Sequence, residues 1–182
     1  MEIFLKQIIT LTPSQAYQIA QILKYGGTYN EIAKELNIKI IVEPGRSITG
    51  DAGIFLTKVN YVKKTETKNF VVVDGGMNNL IRPAMYDVYH HPVLGEIKSE
   101  EKEKYDIVGP ICESSDVFVK NIELTKIEKG DLIAFLSAGA YGRSMSSNYN
   151  LHDIAGELLI DNGKIIQIRK PINFKDLLKF EE

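Results

Sequence analysis

The sequence predicts an α+β protein, with a helix-and-strand segment over residues 1–47 and a mainly antiparallel β domain over residues 48–182 that ends in a short helix. Three observations carry this reading. Residues 13–36 place apolar side chains at helical spacing, and the run 38–42 that follows is short, β-branched and almost wholly apolar. Beyond residue 50 the helical period gives way to short runs of strand formers. Near the end, Asn162-Gly163 lies between two apolar runs and supplies both positive-φ positions of a type I′ hairpin turn.

Taken in order, Thr12-Pro13-Ser14 reads as a helix start, because proline in the first turn gives up no intrahelical hydrogen bond. Ala16, Ile19, Ala20, Ile22 and Leu23 form its apolar stripe, and Gly26-Gly27 ends it. A second helix is expected over residues 29–36, with Ile32, Ala33 and Leu36 on one face. It feeds residues 38–42, which read as a strand buried on both faces and stopped by Pro44 and Gly45. Further strands are expected at 54–62, 70–73, 105–109, 117–119 and 132–136, with Asp74-Gly75-Gly76 closing the second of these. Glu128-Lys129-Gly130-Asp131 reads as a turn. The charge run 98–104 is expected to be a solvated loop or frayed helix. A hairpin over 158–166 and a closing helix over 173–180 complete the chain.

Composition narrows the function. The chain is 44% hydrophobic and 25% charged, as soluble domains are, and its net charge of −2 offers no footprint for nucleic acid or an anionic membrane. A single cysteine, Cys112, excludes an intramolecular disulfide. No apolar run approaches the ~20 residues of a membrane span, and the start lacks a signal peptide's basic region, so a cytoplasmic location is expected. His90 and His91 are adjacent and His152 is far away, so no metal site is expected. Residues 26–38 have the cadence of a helix-turn-helix, which leaves DNA binding as a remote alternative. The following segment is strand-like where a recognition helix would be needed.

Five clusters could carry chemistry. Glu43-Pro44-Gly45-Arg46 sets an acid and a guanidinium at the C-terminal end of a strand, where α/β folds place ligands; it reads equally as a Pro-Gly turn flanked by an ion pair. Arg82 and Tyr86 are four apart, so a helical turn would present both to a carboxylate; the plainer reading is a surface arginine beside a core tyrosine. Cys112 and Glu113 face one site only if the backbone turns sharply, and a lone cysteine is often just a small buried hydrophobe. Ala138-Gly139-Ala140-Tyr141-Gly142 permits close backbone approach and offers a phenol to an anion. Residues 144–148 are unusually polar, as a loop would be.

In combination, Arg82-Pro83-Ala84-Met85-Tyr86, Cys112-Glu113-Ser114-Ser115-Asp116 and Met145-Ser146-Ser147-Asn148-Tyr149, behind Glu43-Pro44-Gly45-Arg46, resemble a known family. It is the C-terminal part of the alanine-racemase-like, fold-type III decarboxylases that use pyridoxal phosphate, and within them the diaminopimelate branch. The resemblance implies that residues 1–47 are the last βα portion of a (β/α)8 barrel and that the β domain is barrel- or sandwich-like. It implies a cofactor site with Glu43 at the pyridine nitrogen and Gly45, Arg46 and Tyr141 at the phosphate. Arg46 would also reach the substrate, meso-diaminopimelate. Arg82 and Tyr86 would hold its distal carboxylate and Glu113 its distal ammonium, while Cys112 would return a proton after carbon dioxide leaves. The family works as a homodimer, with Cys112 and Glu113 entering the partner's site.

No lysine of this chain stands in the family's setting for covalent attachment of the cofactor. The chain by itself is therefore expected to be an inactive C-terminal part, split or truncated from a barrel. The alternative is a non-catalytic partner that docks on a full-length decarboxylase.

Overall fold

The structure is a computed structural model that describes residues 3–4, 28–37 and 43–181. The expected first helix and the strand at 38–42 lie outside the described residues. The chain divides into two compact units, residues 1–48 and 49–182.

In the first unit, α1 (Tyr29–Glu35) begins at a capping box. The Thr28 hydroxyl accepts from the Glu31 backbone N–H, and the Glu31 carboxylate accepts from the Thr28 N–H, so two orphan donors of the first turn are satisfied. Ile32 is fully buried, and Ala33 and Leu36 are half-buried beside it, as the helical period requires. Two short strands, β1 (Ile3–Phe4) and β2 (Glu43–Pro44), pair antiparallel.

The second unit is built on an open six-stranded sheet. Its strands are β3 (Phe55–Lys64), β4 (Asn69–Val73), β5 (Pro92–Leu94), β6 (Lys102–Val108), β7 (Val117–Thr125) and β8 (Leu132–Phe135), in the order β5-β8-β3-β4-β6-β7. Every neighbouring pair is antiparallel except β4 and β6, which run parallel. The sheet is thus mixed, and it curls like half a barrel, so that the ring of Phe118 on the edge strand β7 comes 4.5 Å from that of Phe135 on β8. A parallel pair needs a long crossover, and residues 74–101 supply it. That crossover carries α2 (Arg82–Tyr86), so the parallel pairing is what brings Arg82 and Tyr86 to the sheet.

Alternation along the strands makes the core. Thr57 and Val59 of β3 point inward while Leu56 and Tyr61 point out. Val71, Val73, Tyr105, Ile107, Ile133 and Phe135 complete the buried layer. Phe55, Phe118 and Phe135 stack within it, with centroids 4.5–6.1 Å apart. Two elements differ from the sequence expectation. The last three residues of the charge run, Lys102 to Lys104, open β6, because Glu103 is neutralised across the sheet by Lys64 at 2.7 Å. The edge strand β5 is only three residues long and starts at a proline, a signature that no strand period reveals.

A separate hairpin, β9 (Glu157–Asp161) and β10 (Lys164–Arg169), turns at Asn162 and Gly163, both at positive φ. The closing helix is α3 (Phe174–Leu177), capped by Asn173 and continued as a 3-10 turn to Phe180.

Candidate functional site

Helix α2 has Pro83 in its first turn and ends at Asp87 in the left-handed conformation. The four-residue spacing puts the Arg82 guanidinium over the Tyr86 ring, 5.3 Å from its centroid. A second ring, Tyr141, lies 5.5 Å away. Two aromatic faces thus orient one cation, and its Nε is buried with no hydrogen-bond partner among the described residues. A guanidinium fixed in this way suits a planar oxyanion.

Tyr141 is held there by an unusual backbone. Its φ is 63°, a conformation costly for a residue with a Cβ, so its surroundings must impose it. They do. Ala138 N–H donates to the Gly53 carbonyl at 2.8 Å, and Gly139 N–H to the Gly50 carbonyl at 2.9 Å. A Cβ on Gly139 would overlap the Thr49 carbonyl, so glycine is required for this close approach. The tyrosine itself stays half exposed. It also lines a recess of about 320 Å³ with Arg143, Ser144, Ser146, Glu157 and Arg169.

The second cluster is the turn 109–116. Asp116 is buried and organises it. Its carboxylate accepts from the Ile111 N–H at 2.8 Å and from the Met77 N–H at 2.6 Å, while Gly109 N–H donates to its carbonyl. A Cβ at Gly109 would overlap that carboxylate. Burial pushes the Asp116 carboxyl above the usual carboxylate range, partly offset by the two amide donors. The chain reverses sharply between these anchors, with Glu113 N–H on the Ile111 carbonyl at 2.7 Å.

Cys112 is therefore exposed at the turn rather than packed as a small hydrophobe. Glu113 accepts from the Tyr149 hydroxyl at 3.2 Å on Oε2 and from the Ser114 hydroxyl at 3.2 Å on Oε1. Those bonds, Tyr149 first, hold its carboxyl below the usual range, and the same bond raises the Tyr149 phenol.

The structure joins Arg82, Tyr86 and Tyr141 in one cluster and Cys112, Glu113 and Tyr149 in another, both on residues 49–182. Glu43, Gly45 and Arg46 lie on residues 1–48, where Glu43 is in β2 and Gly45 and Arg46 are half-buried. Sequence reasoning missed the structural part of Asp116, because its amide partner Met77 is 39 residues away. It also gave Tyr149 no role, although that residue closes the motif at 145–149 that the sequence singles out.

The fold and these clusters define a sheet domain that carries a guanidinium between two aromatic rings and a carboxylate bonded by two hydroxyls. A family model described as "Pyridoxal-dependent decarboxylase, C-terminal sheet domain" matches residues 16–139, and the chain belongs to that family. The curated diaminopimelate decarboxylase of Aquifex aeolicus is 46% identical over 144 residues, covering 79% of this chain and 34% of that protein. Its counterpart in Neisseria meningitidis serogroup A is 47% identical over 148 residues, covering 79% of this chain and 36% of that protein. The crystal structure of diaminopimelate decarboxylase from Helicobacter pylori complexed with L-lysine superposes with a TM-score of 0.74 at 40% identity, covering 97% of this chain and 41% of that one. The chain thus spans about a third of the length of the curated relatives it matches.

Proposed function

We propose that this chain is the C-terminal part of a diaminopimelate decarboxylase, the carboxy-lyase that turns meso-diaminopimelate into L-lysine and carbon dioxide. In this reading residues 1–47 are the closing βα portion of a (β/α)8 barrel. The rest of the barrel lies on further polypeptide, and the assembled enzyme is a cytoplasmic homodimer. The observation that carries the reading is the Arg82 guanidinium held between Tyr86 and Tyr141, its buried Nε without a hydrogen-bond partner among the described residues. A site that takes a distal carboxylate needs such a fork, and the ionised Glu113 suits the ammonium beside it.

Each unit carries donors of the kinds that suit pyridoxal phosphate. On residues 1–48, Glu43 is the acid for the ring nitrogen, and Gly45 and Arg46 are donors for the phosphate, with Arg46 reaching the substrate as well. On residues 49–182, Tyr141 is a half-exposed phenol held at a glycine-flanked turn, a further phosphate donor. When bound, the cofactor supplies an electron sink for the charge left by departing carbon dioxide. Arg82 and Tyr86 anchor the distal carboxylate and Glu113 the distal ammonium, so the reacting end is oriented by the end that does not react. The exposed Cys112 thiol gives its proton to the carbon that lost carbon dioxide.

Association with a barrel-bearing polypeptide is supported by the β9–β10 hairpin. Ile160 is 73% exposed and Ile165 71%, and such apolar area is normally covered. The test is carbon dioxide release from meso-diaminopimelate with pyridoxal phosphate. The chain alone is expected to release none. Added to a barrel-bearing polypeptide of a relative, it restores release, and Arg82→Ala abolishes it. Release by the chain alone at an enzymatic rate overturns its dependence on a partner; no release from the mixture overturns the decarboxylase reading.

A further inference from the structure

We propose that Tyr149 is the positioning residue for Glu113: its hydroxyl, held on a strained turn, fixes the plane in which the Glu113 carboxylate meets the substrate's distal ammonium. The proposal rests on the reading of Glu113 given above and extends it to a residue with no assigned part. A free glutamate carboxylate rotates about its last bond at little cost. Here one hydroxyl sits on each oxygen, Ser114 on Oε1 and Tyr149 on Oε2, and rotation would break both bonds. Ser114 is the adjacent residue and moves with the turn. Tyr149 reaches across from another loop, 36 residues away, so among the described residues its hydroxyl is what ties the carboxylate to a frame outside the turn.

That frame is rigid for identifiable reasons. Asn150 and Leu151 follow Tyr149 at φ 53° and 58°. Two successive left-handed residues that are not glycine, one of them leucine, persist only where neighbouring structure enforces them. The enforcing residue is Asn78, fully buried, whose side-chain amide donates to the Ser147 and Asp153 carbonyls at 3.3 and 3.0 Å. Its own carbonyl accepts from the Ser147 N–H at 2.8 Å. One residue earlier, Met77 N–H holds Asp116 and with it the turn that carries Glu113. A single two-residue segment therefore anchors both sides of the pair, leading through Leu80 and Ile81 into α2 and Arg82. The separation of the two bonding groups is set by the fold and not by the flexibility of two surface side chains. The lowered Glu113 carboxyl and raised Tyr149 phenol agree with a bond made to the anion.

Two measurements test this on Tyr149→Phe, which keeps the ring. The first is an NMR titration of the Glu113 side-chain carboxyl in the chain by itself. It is expected to move up toward the ordinary carboxylate range while the melting temperature is unchanged; an unmoved titration overturns the proposal. This needs no turnover, so it judges the pair even where the wild-type mixture releases no carbon dioxide, a result that would instead sink the decarboxylase reading. The second is steady-state kinetics in the reconstituted mixture. KM for meso-diaminopimelate is expected to rise about tenfold, the effect of one misaligned charge-assisted bond, with kcat within twofold. A fall in kcat at constant KM would overturn the positioning role, because Tyr149 would then be acting in the chemical step.

Discussion

The six-stranded sheet and the β9–β10 hairpin are both β ladders with apolar side chains, yet they have opposite relations to solvent. In the sheet, each strand sends alternate residues into one layer, and Ile133, Phe135, Val71 and Val73 are fully buried. In the hairpin, no residue is buried, and leucines and isoleucines are exposed on both strands. The hairpin is set by its turn, whose Asn162 and Gly163 adopt the positive φ that a two-residue connection demands. The sheet is set by its packing. Local chemistry can define a ladder without supplying a core.

That contrast can be broken at its strong end first. Phe135→Ala removes a ring packed against Phe118 with centroids 4.5 Å apart and is expected to cost about 3–5 kcal/mol, read from the urea midpoint. Ile160→Lys in the hairpin is expected to change stability by less than about 0.5 kcal/mol while abolishing association with a barrel-bearing polypeptide in sedimentation. Equal destabilisation by the two would erase the distinction.

Asp116→Ala leaves the Met77 and Ile111 N–H groups without their acceptor and is expected to cost about 1–3 kcal/mol. It should also broaden the amide signals of residues 109–116, which reports the loss of the turn that carries Cys112 and Glu113.

A pH test sharpens the sheet side. Burial alone would raise the Asp106 carboxyl, but the Lys68 ammonium and the Asn121 N–H outweigh it and hold it below the usual range. A depressed carboxyl contributes stability that is present above its unfolded pKa of about 3.9 and is lost as pH falls through the folded value. Urea melts should therefore show wild type losing more stability on acidification than Asp106→Asn. The most local expected effect lies in the hairpin: Gly163→Ala, forced to keep φ near 78°, should cost about 1 kcal/mol of hairpin order, seen as faster amide exchange there alone.

What the sequence disclosed follows the same division. The hairpin, the helix pair Arg82 and Tyr86, and most strands rest on spacing and turn chemistry, which are local. The Tyr141 ring over Arg82 was not legible, because it depends on the close contact of residues 138–139 with 50–53 and on a left-handed tyrosine. Tyr149 was hidden for a similar reason: its partner lies across the fold and its anchor, Asn78, looks like an ordinary loop asparagine. Strand β6 was half concealed by charges that cancel only once β3 and β6 flank β4 in one sheet.

The crossover between the parallel strands β4 and β6 bears on the order of events in folding. The sheet joins segments far apart in sequence, with the Thr57 hydroxyl bonded to the Ile133 carbonyl 76 residues on. Chains dominated by such distant pairings fold slowly, over milliseconds to seconds, because loop closure must precede the contacts that reward it. Helix α2 can form early, but the Tyr141 face of the Arg82 clamp exists only once β8 has docked on β3. The Arg82 clamp is thus a late product of folding, and a nascent or partly opened chain would carry Arg82 without the second ring that orients it.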